Sequence, residues 1–390
     1  MIVIGTAAVT GVFNTNRLTA VAADDTIILR VCNWEEYIDE SILEEFEDYY
    51  FEQTGEKIKV QYDTFESNET MYTEIKSNKS DYDVICPSDY MIEKLINQNL
   101  LQELNWDNIP LASNMDDAIR YSDVENKVGR AFDPENKYYA GYFWGTLGIL
   151  YNKQHFIDAG AEMDGDVPVA VKSWDCLFDA TYSAAPYKGI LMKDSYKDVY
   201  AVCSIMANED TLLSLKDTDF NGYRTALKNT FKVPTTEEIS SIESMLKSKS
   251  SVFKEYESDS GKHTMVDGNA TLNLAWSGDA SWAAGENKDL DYYVPDLGGN
   301  IWFDGWVIPV YAVNKTAAEM FINFTLREDI ALRNMEEVGY TSFVTKAFSD
   351  EIKNNHIQNP SADVINRCEA MVDFGDMDEE MVDMWIRIKV

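Results

Sequence analysis

From residue 25 onward, apolar residues recur with the two periods that distinguish strands from helices. Short, mostly apolar runs predict strands at residues 27–31, 58–62 and 82–86. Between the first two runs, apolar residues at helical spacing predict a helix that Asp39 caps and Gly55 ends. Further helices are predicted over residues 69–79 and after Tyr90. This alternating order predicts parallel strands joined by right-handed crossovers.

The chain beyond residue 140 has the same character, although its pattern is less regular. Strands are predicted at 142–144, 147–151 and 271–276, and helices around 174–185, 198–207 and 237–248. The last of these strands is expected to run into a loop at 277–279. Because 390 residues are too many for one ordinary hydrophobic core, the chain is expected to form two lobes.

The N-terminal segment, residues 1–24, is predicted to be a signal or membrane-proximal segment. Its first 13 residues are apolar, and Ala20-Val21-Ala22 resembles a signal-peptidase site, but no basic residue precedes the apolar run. Two interpretations remain open: a signal or anchor that continues upstream, or the end of a fused membrane segment.

The charge balance narrows the range of partners. The chain has 68 acidic and 33 basic residues, a net charge of −35. Such an excess repels nucleic acid and anionic lipid surfaces and steers small cations toward the protein, so no nucleic-acid partner is expected. The acidity could also serve only to keep a secreted protein soluble.

The cysteines and histidines give no sign of a metal or redox centre. None of the five cysteines has CxxC spacing, so buried, hydrophobic roles are predicted for them. The three histidines are not spaced as metal ligands. No cofactor, no metal site and no catalytic residue are predicted.

Aromatic and acidic residues gather where the first three predicted strands end, in segments 33–37, 64–68 and 87–90. Ligands of open α/β sheets bind beyond the carboxyl ends of the strands. A linear polyamine needs carboxylates for its ammonium groups, aromatic faces for its methylenes and exclusion of water. Candidate walls are Trp34, Tyr37, Tyr90, Trp276 and Trp302, and candidate charges are Glu36, Asp198 and Asp304.

The same residues bear on other ligands and on enzymatic activity. No arginine lies in these segments, which disfavours amino acids and peptides, whose carboxylates need a cation. A sugar could use the same tryptophans and acids, and another organic cation could also bind. Two carboxylates across a cleft could instead hydrolyse a glycoside, but no nucleophile motif or phosphate loop occurs.

At these same residues the chain resembles the spermidine/putrescine-binding proteins of bacterial polyamine ABC transporters. The resemblance runs from Ile27 to about Ile388. The motifs that carry it are Asn33-Trp34-x-Glu36-Tyr37, Glu66 to Tyr72, Tyr82-Asp83-Val84 through Pro87-Ser88-x-Tyr90, Phe132 to Asn136, Phe143-Trp144-Gly145-Thr146 and Trp302-Phe303-Asp304. They follow one another in the family's order and at similar spacing.

The resemblance implies an α/β, two-lobed periplasmic-binding-protein type II fold with a hinge and an interlobe cleft. The expected lobes are residues 25–140 with 301–339, and residues 141–300 with 340–390. It further implies extracytoplasmic capture of putrescine or spermidine, delivery to an ABC transporter permease, a periplasmic or membrane-associated location, and a monomer that is not an enzyme.

The resemblance also assigns pocket positions. It implies Trp34, Glu36 and Tyr37 with Ser88 and Tyr90 from the first lobe, Trp276 from the second, Trp302 and Asp304 near the crossover, and Asp198 where the family has Glu. Two departures bear on ligand preference: Glu35 stands where the family often has Thr, and Ser195 replaces an acid thought to grip one end of spermidine. Either Glu35 or Asp194 compensates, or the protein prefers putrescine.

Overall fold

The structure is a computed structural model that describes residues 26–77, 81–115 and 132–389. Its strands are β1 Ile27–Trp34, β2 Ile58–Phe65, β3 Val84–Ile85, β4 Tyr139–Asn152, β5 Met163–Asp164, β6 Val167–Pro168, β7 Ile190–Lys193, β8 Phe253–Glu257, β9 Leu272–Trp276, β10 Leu290–Tyr293, β11 Gly299–Val307, β12 Thr341–Ser342 and β13 Cys368–Glu369. Its helices are α1 Ser41–Thr54, α2 Asn68–Lys76, α3 Asp89–Asn97, α4 Lys153–Asp158, α5 Tyr196–Ala207, α6 Glu209–Lys216, α7 Phe220–Thr230, α8 Thr236–Lys249, α9 Ser260–Val266, α10 Ser277–Glu286, α11 Lys315–Thr325, α12 Glu328–Val338, α13 Asp350–Asn354, α14 Ala362–Asn366 and α15 Met377–Lys389.

The N-terminal strands are parallel, as the sequence predicts. β1 lies between β2 and β3 and pairs in parallel with both. Helix α1 ends at Gly55, whose φ of 74° is readily adopted only by glycine. Its N-cap is Glu40 rather than Asp39, so that prediction is off by one residue; the Asp39 carboxylate accepts the backbone N–H of Ser41 at 3.0 Å.

The main sheet is mixed, with the order β2-β1-β3-β11-β4-β9-β7-β8. The two strands predicted at 142–144 and 147–151 are one strand, β4, because Gly145 and Thr146 between them also pair, with Trp302 and Ile301 of β11. All 14 residues of β4 are buried. Its first half pairs with β11 and its second half with β9 and β10, so a single strand connects the two ends of the sheet.

Two hydrophobic clusters flank this sheet. The first surrounds β1–β3 and includes Phe46 of α1 and Phe321 of α11. The second surrounds β7 and includes Tyr200 of α5 and Trp385 of α15. We call the elements around β1–β3 the first lobe and those around β7–β9, with α15, the second lobe. Buried residues from Tyr340 to Ile357 pack in the first cluster. The residue limits of the two domains stay a prediction.

The fold contradicts two of the smaller sequence predictions and confirms a third. Residues 174–185 form short 3₁₀ turns rather than an α-helix, and 277–279 begin α10 instead of a loop. All five cysteines are buried and form no disulfide, as the predicted hydrophobic roles require. Within the described ranges no helix has the length and apolar character needed to cross a bilayer. The predicted signal or membrane-proximal segment at 1–24 lies outside the described residues.

Candidate functional site

Asp304 of β11 is the centre of a polar cluster in the first lobe. Its side chain is buried, with 4% of the residue exposed. The Tyr37 hydroxyl donates to Asp304 Oδ2 at 2.6 Å, and the Ser88 hydroxyl donates to Oδ1 at 2.7 Å. Tyr37 follows β1 and Ser88 precedes α3, so the ends of β1 and β3 deliver their hydroxyls to one carboxyl, as expected for a parallel sheet.

Burial raises the pKa of Asp304 to about 7, although the hydrogen bonds from Tyr37 and Ser88 act to lower it. None of the ion pairs within the described ranges involves Asp304. A buried carboxyl that has neutral donors but no cation favours an external ammonium, because pairing would offset its desolvation.

Asp198, in the first turn of α5, is the corresponding acid of the second lobe. It is buried, and Trp276 Nε1 donates to its Oδ2 at 3.2 Å. Ser195 is the N-cap of α5 and accepts the backbone N–H of Asp198 through its hydroxyl, at 3.4 Å. Burial raises the pKa of Asp198 despite hydrogen bonds from Ser195, Trp276 and Asn300.

Three tryptophans line this region as partly buried side chains. Trp34 packs against Phe65 with ring centroids 4.5 Å apart, and Trp302 lies edge-on to Tyr340 at 5.4 Å. The indole N–H groups of Trp34 and Trp302 are buried without a hydrogen-bond partner among the described residues. Trp276 and Trp302 come from β9 and β11, on opposite sides of β4, so aromatic walls from both lobes meet at this strand.

Glycines make room for these walls. A Cβ added to Gly145 would lie 2.9 Å from Trp302 Cζ2 and 2.7 Å from Ser277 Oγ. A Cβ on Gly278 would lie 2.2 Å from the ring of Tyr340. All three distances are below van der Waals contact, so a side chain at Gly145 or Gly278 would displace the ring of Trp302 or of Tyr340.

A hydrogen-bond chain joins the first-lobe acid to the second lobe. Asn68 Nδ2 donates to Ser88 Oγ at 3.1 Å and to the Tyr90 hydroxyl at 3.0 Å. The Tyr90 hydroxyl donates to Glu69 Oε1 at 3.0 Å, and the Tyr196 hydroxyl donates to the same oxygen at 3.1 Å. Neither Asn68 nor Glu69 is among the predicted site residues, although both lie in the motif at 66–72.

Two buried lysines approach the predicted aromatic walls. Lys193 Nζ lies 4.1 Å from the centroid of the Trp276 ring and pairs with Glu257 at 3.2 Å and Asp279 at 3.3 Å. Lys197 Nζ lies 4.2 Å from the centroid of the Tyr90 ring. Neither lysine was predicted, because the sequence does not show where the end of a long, flexible lysine side chain lies.

The three other predicted acids, Glu35, Glu36 and Asp194, are exposed or have partners other than those of Asp304 and Asp198. Glu35 and Glu36 are exposed, and Glu36 has a positive φ of 48°. The Lys262 ammonium bonds Glu36 at 2.9 Å and lowers its pKa. Asp194 accepts from Trp385 Nε1 at 2.7 Å and pairs with Lys389 at 2.7 Å. Their ligand-binding roles stay predictions.

Comparison with known proteins places the chain in a family. The family model of bacterial extracellular solute-binding proteins matches residues 42–359. The spermidine/putrescine-binding periplasmic protein of Escherichia coli is 30% identical over 92% of this chain and 90% of its own length. The putrescine-binding periplasmic protein PotF of the same organism is 26% identical, over 86% of this chain and 84% of its own length.

Solved structures agree with this assignment. PotD, the spermidine/putrescine transporter substrate-binding protein of Streptococcus pneumoniae, superposes with a TM-score of 0.68 at 30% identity, covering 93% of this chain and 98% of its own. The TpPotD lipoprotein of Treponema pallidum has a TM-score of 0.69 at 18% identity, covering 93% and 99%, and supports the fold alone. The two-lobed periplasmic-binding-protein type II fold is thus confirmed, and the chain belongs to the bacterial extracellular solute-binding proteins.

Proposed function

We propose that this protein captures a linear polyamine, putrescine or spermidine, outside the cytoplasm and delivers it to the permease of an ABC transporter. The observation that carries this proposal is the pair of buried carboxyls, Asp304 and Asp198, one from each lobe, beside partly buried tryptophans. The names of the relatives, which include spermidine/putrescine-binding and putrescine-binding proteins, support the same ligand class.

The physical basis of recognition follows from this arrangement. One ammonium would bind Asp304, where charge-assisted hydrogen bonds are strongest because water is excluded. The methylenes would lie against Trp302 and Trp276, whose ring faces also attract cations. A second ammonium would bind Asp198. Because the two acids belong to different lobes, a diamine that satisfies both would favour the closed arrangement of the lobes.

The proposed transport cycle requires capture and release rather than catalysis. A closed, loaded protein would dock on the permease as a monomer, in the periplasm or tethered at the cell surface. The raised pKa of Asp304 would also suit the general acid of a glycosidase. An acid that awaits an ammonium has a raised pKa for the same reason, so turnover must decide between the two.

The test is isothermal titration of the purified protein at pH 8 with putrescine, spermidine, glucose and maltose. A saturable signal with a polyamine and none with either sugar is expected. A sugar that binds while both polyamines fail would overturn the proposal. Hydrolysis of a chromogenic glycoside, lost in Asp304→Asn, would replace it with the enzymatic alternative.

A further inference from the structure

The ammonium of Lys197 occupies a cation cage between the lobes. Lys197 is 5% exposed, and its Nζ lies 3.7 Å from the ring centroid of Phe374 and 4.2 Å from that of Tyr90. Asp378 Oδ1 pairs with it at 3.3 Å. Tyr90 comes from the first lobe and the other three residues from the second. Two aromatic faces and a carboxylate are what an ammonium of a polyamine would require.

This cage adjoins the proposed binding site. Tyr90 shares Asn68 with Ser88, the residue that donates to Asp304. On the other side, Lys197 immediately precedes Asp198 in α5. The cage is therefore connected to Asp304 through the hydrogen-bond chain Tyr90–Asn68–Ser88, and to Asp198 through the peptide bond between residues 197 and 198.

The burial of the charged Lys197 ammonium in this cage has a desolvation cost, which its acidic neighbours only partly offset. Burial lowers the pKa of Lys197 although Asp378 and Glu69 act to raise it. Lys197 and Lys94 in turn keep the pKa of Asp378 below its usual value in spite of burial. A second ammonium in the same cage would meet the repulsion of Lys197 at close range.

We propose that Lys197 acts as a tethered internal ammonium that closes this cage to the ligand and makes the site selective for diamines over triamines. This inference rests on the proposed function. A diamine places its two charges at Asp304 and Asp198. The third ammonium of spermidine must either displace Lys197, which leaves a buried lysine without its partners, or remain without a carboxylate of its own.

The first test compares Kd values of the unmodified protein at pH 8. Putrescine is expected to bind at least tenfold more tightly than spermidine, since a misplaced ammonium forfeits roughly 1.4 kcal/mol or more. Equal affinity, or tighter binding of spermidine, would overturn the inference while leaving the proposed function intact. If neither polyamine binds, both are wrong.

The second test removes the internal ammonium. Lys197→Met keeps a long apolar stem against Phe374 and Tyr90 but vacates the carboxylate. The ratio of the spermidine Kd to the putrescine Kd should fall at least tenfold. Lys94→Met is the matched control: Lys94 pairs with the same carboxylate, Asp378, at 2.6 Å, but its ammonium is closest to a different ring, that of Tyr72, at 5.0 Å.

The Lys94→Met control distinguishes the effect of the position of the Lys197 ammonium from the effect of losing one positive charge. Both variants remove one positive charge near Asp378, so Lys94→Met should shift the two Kd values by a similar factor and leave their ratio unchanged. An unchanged ratio in Lys197→Met, or an equal change in both variants, contradicts the inference. If Lys197→Met does not fold, Lys197→Gln provides the same comparison, and the unmodified protein's own ratio remains decisive.

Discussion

The two buried acids of the proposed site, one from each lobe, lie in different electrostatic settings. In the first lobe the donors to Asp304 among the described residues are neutral, the hydroxyls of Tyr37 and Ser88, and burial raises its pKa to about 7. In the second lobe Asp198 lies in a helix that also carries Lys197; burial raises its pKa, and the charge of Lys193 offsets part of that rise. Pairing with a ligand ammonium should therefore stabilise Asp304 more than Asp198, and we expect Asp304 to contribute more to the affinity for the ligand.

The largest loss of polyamine affinity should come from removing the charge of Asp304. Asp304→Asn removes the charge and should weaken polyamine binding at least thirtyfold, since an ammonium left unpaired in a buried site costs about 2–5 kcal/mol. Asp198→Asn should cost less, about tenfold. Asp81→Asn, a change of the same charge at an exposed residue, is the control. Equal Kd values for the Asp304 and Asp198 variants would contradict the comparison.

The next effect concerns the stability of the ligand-free protein. Because the pKa of Asp304 is higher in the folded than in the unfolded chain, its contribution to stability is full below pH about 4 and is lost as the pH rises to about 7. The total loss is at most about 4 kcal/mol. Asp304→Asn should therefore be more stable than the unmodified protein at pH 8.

Denaturant unfolding at pH 4.5 and pH 8 measures this difference. The stability advantage of Asp304→Asn should grow between the two pH values, whereas Asp81→Asn should show no such growth. If Asp304→Asn is less stable than the unmodified protein at pH 8, the Asp304 carboxylate stabilises the folded chain, which contradicts this prediction.

A smaller effect is expected on affinity as a function of pH. Only the ionised form of Asp304 pairs with an ammonium, so protons compete with the ligand below the pKa of about 7. The Kd for putrescine should rise about tenfold between pH 8 and pH 6, because about one carboxyl in ten is ionised one unit below its pKa. The amines remain charged throughout. In Asp304→Asn the same pH range should leave the Kd nearly constant.

The smallest effect should come from the exposed contact between the lobes. Glu36 is paired with Lys262, and 71% of the glutamate side chain is exposed. Such pairs contribute about 0–1 kcal/mol and are screened by salt, so Glu36→Gln should weaken putrescine binding at most about fivefold, and less in 0.5 M NaCl. A loss of thirtyfold or more would instead show that Glu36 holds an ammonium directly, as the resemblance implies.

The sequence predicts features that depend on neighbouring residues, and it misses those that depend on pairing between distant parts of the chain. Short apolar runs predict the parallel strands β1–β3, and the strand-end rule then brings Tyr37 and Ser88 into one region. Asp304 lies in β11, which is antiparallel to β3, and only the resemblance placed it beside them. The sequence pattern could not show that β4 is continuous. Its central Gly145 and Thr146 look like a break, but pairing with β11, some 155 residues later in the chain, makes them part of the strand.

The buried lysines could not be predicted for a different reason. A lysine has a long, flexible side chain, and nothing in a single sequence tells whether its ammonium lies in water or reaches a partner. Lys197 is next to Asp198 in the chain, yet its ammonium pairs with Asp378, which is 181 residues away. That contact exists only because α15 returns to the second lobe, where it packs against α8.

The five buried thiols have a practical consequence. Maleimides and other thiol reagents require both access and a thiolate, and burial raises the pKa of Cys32, Cys86, Cys176 and Cys203. The native side chains should therefore remain unlabelled in the folded protein. One introduced surface cysteine on each lobe would then be enough for a pair of dyes or spin labels, and the distance between them would report the movement of the lobes as a polyamine is added.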